Sequence, residues 1–213
     1  MKQLDLNNYV DNYCERLEPG LLSEPLNLFS NLAFFVAGIL ILYKSKRNIY
    51  SLVFGVLVIA VGIGSSLFHS IAKNWAMLAD VIPIGILVLY FIFVYSKKVQ
   101  NWSNTVLVLN YGFLVGTGFL TSLVWNDQQL NGSQPYLGVA VLMIVFGAID
   151  LRKYNNKHLI VGAFVFSLSL ALRSLDQTFC GSIPVGLHYF WHILNGLLLY
   201  IISRRLTLTD LKF

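Results

Sequence analysis

Residues 51–70 read SLVFGVLVIAVGIGSSLFHS, twenty positions without an Asp, Glu, Lys or Arg. As an α-helix this stretch is about 30 Å long, the thickness of a bilayer's hydrocarbon core. Its apolar residues run on without the alternation of a barrel strand, and in lipid each segment must satisfy its own backbone groups. It reads as a transmembrane helix. Outward from it, the chain offers seven apolar segments in all, at 27–44, 51–71, 77–96, 104–125, 135–150, 158–173 and 185–203. The expected fold is an all-α membrane protein, a seven-transmembrane helix bundle.

Composition points the same way. Of 213 residues, 56% are hydrophobic and 12% charged, too few charges to keep a soluble domain of this size in solution. A net charge of +5 could suggest a nucleic-acid partner, but the basic residues form no single patch. They sit in short clusters between apolar segments, as membrane topology demands. The first 26 residues are polar and mixed, without the apolar core of a cleavable signal peptide. The expected organisation is a polar N-terminal segment at 1–26, a membrane domain at 27–203 and a tail at 204–213.

The loops give an orientation. Lys44, Lys46 and Arg47 follow the first span, Lys97 and Lys98 the third, Arg152, Lys153 and Lys157 the fifth, and Arg204, Arg205 and Lys212 the seventh. These are eleven of the fifteen Lys and Arg residues. Lys2, Arg16, Lys73 and Arg173 fall on the other side with most of the acids. By the positive-inside rule the N-terminus is outside and the C-terminus cytoplasmic.

Polar residues inside the spans are the informative ones, because ionisable groups in a membrane are costly and mark functional sites. The second span ends in Gly64-Ser65-Ser66-Leu67-Phe68-His69. The third carries Asp80 near its start, and the seventh opens with His188-Tyr189-Phe190-Trp191-His192. The alternation of spans brings all of them to one depth, near the outer face.

His188 and His192, spaced i and i+4, project from one helical face. With His69 they supply three imidazoles and leave a fourth coordination position open, the usual arrangement of a catalytic zinc. Ser65, one turn before His69, could hydrogen-bond a developing oxyanion. Asp80 could accept a proton from water or orient a histidine ligand. A bis-histidine haem is another reading, but three histidines beside an Asp and a Ser fit zinc better. His158, the fourth histidine, reads as an interfacial side chain.

The ordered set Ser65-x3-His69, Asp80 and His188-x3-His192 resembles the alkaline ceramidase family, part of a wider CREST-type superfamily of seven-span proteins that includes adiponectin-receptor-like proteins. Tyr13-Cys14-Glu15, Glu24-Pro25-x-Asn27-x3-Asn31 and Asp176-x2-Phe179-Cys180 extend the resemblance over nearly the whole chain. It implies hydrolysis of the ceramide amide bond to sphingoid base and fatty acid. In that scheme His69, His188 and His192 hold zinc, Asp80 is the general base and Ser65 stabilises the oxyanion. The substrate would be a membrane lipid, ceramide or another acyl lipid, and no nucleic acid is involved.

The N-terminal segment resembles, less closely, the part of that family that binds calcium. Glu15 and Glu24 match acidic ligands and Tyr13 stands where a backbone carbonyl would serve. Asn12 replaces the family's Asp, and Leu17 its Asn. Calcium takes six to eight oxygens, and a solvated acidic segment is the competing reading.

Cys14 and Cys180 are the only cysteines. Both lie beside family-like motifs on the outer side, where an oxidising compartment would allow a disulfide; two free thiols are the alternative. The membrane would be a bacterial inner membrane or a eukaryotic endomembrane, with the site toward the periplasm, lumen or exterior. A receptor-like or structural protein with a helix-holding zinc remains the second hypothesis. Ser65 and Asp80 favour the enzyme, since a structural zinc needs neither.

Overall fold

The computed structural model describes residues 5–45, 48–125 and 129–207. Lys2, Lys46, Arg47 and Lys212, which contribute to the charge bias, lie outside the described residues, as does the end of the expected tail. Every regular element described is helical, and an isolated bridge between Tyr9 and Lys73 is the single β feature among the described residues.

The elements are α1 (Pro25–Ser30), α2 (Leu32–Lys44), α3 (Ile49–Ile71), α4 (Asn74–Val94), α5 (Asn104–Val124), α6 (Gln134–Tyr154), α7 (His158–Phe179) and α8 (His188–Thr207). A π-helical turn, Tyr95–Val99, continues α4. The spans Pro25–Lys44, Ile49–Ile71, Asn74–Val99, Asn104–Val124, Gln134–Tyr154 and His158–Phe179 are long and apolar enough to cross a membrane. The protein is therefore a multi-pass membrane protein. The expected seventh span, α8, has 20 residues but is not among these six. His188, His192, Asn195, Arg204 and Arg205 make it the more polar helix. It packs against α2 and α7 and buries these histidines and Asn195 within the bundle.

Two helices run well past the ends of their expected segments. The segments at 135–150 and 158–173 become helices ending at Tyr154 and Phe179. Hydropathy stops at the first polar residues, whereas the helix continues through them wherever they find partners. Asp150 is buried and receives Arg205 Nε at 2.5 Å, Tyr95 Oη at 3.1 Å and Gln100 Nε2 at 3.1 Å. A buried charge is tolerable when it is so paired. Asn48 caps α3 by accepting the Ser51 N–H at 3.0 Å. Ala72 closes the helix in the left-handed conformation, φ 50°.

Two features set the packing around the polar end. A Cβ on Gly64 would lie 1.9 Å from the Ala79 carbonyl oxygen, so only glycine lets α3 and α4 approach this closely. Pro83, four residues after Ala79 in α4, has no N–H to give that carbonyl. Gly186, at φ +68°, turns the chain into α8 and backs onto Asp176, whose Oδ1 a Cβ would meet at 2.2 Å. Asp176 Oδ1 accepts the N–H groups of Leu187 at 2.5 Å and His188 at 2.9 Å, and its Oδ2 accepts that of Cys14 at 3.1 Å. One carboxylate thereby ties α7, the start of α8 and the N-terminal segment.

Two of these pieces, the N-terminal segment and the end of α7, are also joined covalently. Cys14 and Cys180 form a disulfide, with Cα atoms 5.2 Å apart. The N-terminal segment also hydrogen-bonds across the α3–α4 turn, through Val10 N–H to Ala72 O at 2.8 Å and Asn74 N–H to Asn8 O at 3.1 Å. Denatured protein should take up a thiol reagent at both cysteines only after reduction. Equal labelling with and without reduction would contradict the bond.

Candidate active site

His69 ends α3, Asp80 lies in the second turn of α4, and His188 and His192 open α8, so the helix order delivers them to one end of the bundle. The three imidazoles are buried, and their ligand-capable atoms lie within 4.8 Å of one another. Ring centroids are 5.3 Å apart for His69 and His188, 4.8 Å for His69 and His192, and 4.7 Å for His188 and His192.

Each ring is held by a group outside the cluster. Glu24 Oε2 lies 2.6 Å from His69 Nδ1, and Ser30 Oγ lies 2.7 Å from His192 Nδ1. Tyr13 stacks on His188 with centroids 3.7 Å apart. His69 Nε2 is buried without a hydrogen-bond partner, as is His188 Nδ1, and His192 Nε2 has Ser65 Oγ at 3.4 Å. Orphaned buried nitrogens are unfavourable unless something binds them. Three clustered imidazoles, two of them with a polar partner on Nδ1, make a donor set that zinc takes. The residues fit such an ion.

Glu24 is gripped from several sides. Burial pushes its carboxyl upward, but hydrogen bonds from His69, Asn27 and Arg16 outweigh this and hold it below the usual carboxylate range. Asn27 Nδ2 donates to Oε2 at 2.9 Å, and Arg16 Nε donates to Oε1. Glu15 accepts the N–H groups of Leu26 at 2.5 Å and Asn27 at 2.8 Å. The Tyr13 carbonyl takes the Arg16 N–H at 3.3 Å, and the Asn12 carbonyl takes Gln177 Nε2 at 2.7 Å. Leu17 is exposed and offers no side-chain oxygen. The Glu15 and Glu24 carboxylate oxygens and the Tyr13 backbone oxygen expected to bind calcium thus already accept N–H donors, and Asn12, standing in place of the family's Asp, brings no charge to the site. The segment does not fit a calcium ion.

A cavity of about 1150 Å³ opens beside the histidines, lined by Tyr13, Asp80, Tyr136, Arg173, His188 and Trp191 among others. A narrower apolar crevice of about 80 Å³ shares Tyr136 and Trp191 with it and continues inward past Phe54, Phe91 and Phe166. Arg173 sits among aromatic rings, its guanidinium carbon 5.9 Å from the Tyr13 centroid, 5.6 Å from that of Tyr136 and 5.4 Å from that of Trp191.

The sequence model of the ceramidase family matches residues 12–212. The chain belongs to the ceramidase family. No curated protein matches it. Membership in the ceramidase family implies a hydrolase that cleaves amide bonds, and the cavity beside a histidine cluster is a place where one could act. Sequence reasoning did not single out Ser30, Arg173 or the role of Asp176 at the start of α8. It placed Glu24 among calcium ligands rather than on His69. The available signals were the motifs Glu24-Pro25-x-Asn27-x3-Asn31 and Asp176-x2-Phe179-Cys180 and an arginine within an apolar run.

Proposed function

We propose that the protein is an integral-membrane, zinc-dependent amidase that hydrolyses ceramide to a sphingoid base and a free fatty acid. The observation that carries this reading is the buried His69, His188 and His192 cluster, with His69 Nε2 and His188 Nδ1 unpartnered, beside a cavity that also holds Asp80. Zinc bound there would polarise the amide carbonyl and lower the pKa of water to about 7.

The chain's own groups do the rest. The 1150 Å³ cavity takes the lipid, with the acyl tail along its apolar wall of Ile84, Val88, Leu89, Leu114 and Val139 and the amide toward Asp80 and His188. Asp80 accepts the proton of the attacking water and returns it to the departing amine, as a carboxylate in a sheltered site can. The Ser65 hydroxyl donates to the oxyanion that develops on the carbonyl oxygen. Glu24 and Ser30 fix the orientation of His69 and His192.

Ser65→Ala should lower kcat roughly a hundredfold with little change in KM, since the lost hydrogen bond forms only as charge develops. An equal rise in KM with unchanged kcat would assign Ser65 to substrate binding instead. Purified protein offered lipid amides and esters should cleave long-chain ceramide. If it cleaves neither class, the receptor-like reading takes over; if it cleaves only esters, the substrate is another acyl lipid.

In this reading α8 is the seventh span, with its buried histidines and Asn195 turned into the bundle, and the described part of the N-terminal segment, from residue 5 to 26, lies outside the membrane over the site. The basic residues Lys97, Lys98, Lys153 and Arg204 lie at the opposite helix ends, which supports a cytoplasmic C-terminus. Reporter fusions after Phe213 and within the Lys44–Arg47 loop should both report cytoplasm. An external signal at either reverses the orientation and the outward-facing site.

A further inference from the structure

Arg16 is buried and makes three contacts that no surface arginine would need. Its Nε donates to Glu24 Oε1, its Nη1 to the Gly20 carbonyl at 3.1 Å, and its Nη2 to the His69 carbonyl at 2.7 Å. The last acceptor is telling. The His69 carbonyl lies in the final turn of α3, where carbonyls lack helical partners and a positive charge is favoured. The carboxylate that Arg16 engages through one oxygen meets the His69 ring through the other. His69 is therefore gripped at its backbone by the guanidinium and at its imidazole by the carboxylate of one ion pair.

We propose that the Arg16 guanidinium is the resident cation of the N-terminal segment, taking the place that calcium would fill, and that through Glu24 it positions His69 with no need of calcium. This assignment rests on the reading of His69 as a metal ligand. Calcium draws a loop together by collecting six to eight oxygens. A guanidinium can do the same with a planar fan of five N–H donors, and here it joins the 16–24 loop to the end of α3. Its charge also closes the account: Glu24 is already neutralised, and a divalent ion at these oxygens would face a buried guanidinium directly. Lysine could carry the charge but not reach three acceptors in one plane.

Wild-type protein should show the same unfolding temperature and the same zinc affinity in excess calcium chelator as in millimolar calcium. A calcium-dependent rise in either overturns the proposal. Arg16→Ala should weaken zinc binding, measured by competition with a chelating indicator, by about 10–100-fold, the usual loss when an outer partner of a ligand is removed. Arg16→Lys should recover part of that loss. Arg16→Ala with wild-type zinc affinity overturns the positioning role. The calcium comparison uses wild-type protein, so it decides the matter even if Arg16→Ala does not fold. None of these readouts requires ceramide turnover, so failure of the amidase reading is separable from failure of this one. Wild type without zinc would overturn the metal reading, leaving the unfolding temperature in calcium to judge Arg16 as the resident cation.

Discussion

Asp80→Asn should lower turnover by roughly 10²- to 10⁴-fold, the span over which a positioned acid–base group acts. The amide keeps the size of the carboxylate, so the α3–α4 contact at Gly64 and the cavity wall should survive. It cannot accept a proton from water. Lipid affinity should therefore change little, and kcat and kcat/KM should fall together, the mark of an interaction made in the transition state. Zinc content should also be retained, because Asp80 is not one of the clustered nitrogen donors. Ceramide cleavage at the wild-type rate by zinc-loaded Asp80→Asn would remove Asp80 from the mechanism.

His188→Ala and His192→Ala should each strip most of the zinc from protein purified with about one ion per chain. The loss should exceed the ~10–100-fold in affinity that removing an outer partner costs, because a ligand itself is gone. The two variants should differ in side effects. His192 Nδ1 meets Ser30 Oγ, so its loss leaves that hydroxyl with only its bond to the Asn27 carbonyl. His188 leaves behind the stacked face of Tyr13. Ser65→Ala, by contrast, should keep its zinc. Metal content unchanged in both histidine variants would place the ligands elsewhere.

Much of this arrangement could be read from the chain, and the reason is the solvent. In lipid, runs such as residues 51–70 have one structural solution, so helix and depth follow from hydropathy. The three histidines could be assembled from span alternation alone, because His69 ends one span and His188 begins another. What could not be read were contacts set by side chains reaching between loops. Glu24 lies 45 residues from His69 and Ser30 lies 162 from His192, and nothing in local pattern announces either pair. The N-terminal segment misled for a related reason. Its acids suggested a cation, and the cation facing Glu24 is Arg16, a neighbour that composition had counted only as a loop charge. The segment at 185–203 was read as a seventh span, but α8 falls outside the six spans apolar enough to cross by themselves, and its polar residues make sense once α2 and α7 cover them.

The measurement closest to the central claim is the ceramidase activity of purified protein titrated against zinc occupancy. Metal-free protein should release no fatty acid from long-chain ceramide, and activity should return in proportion to bound zinc, reaching its limit at about one ion per chain. Full cleavage of ceramide by the metal-free protein would contradict the account.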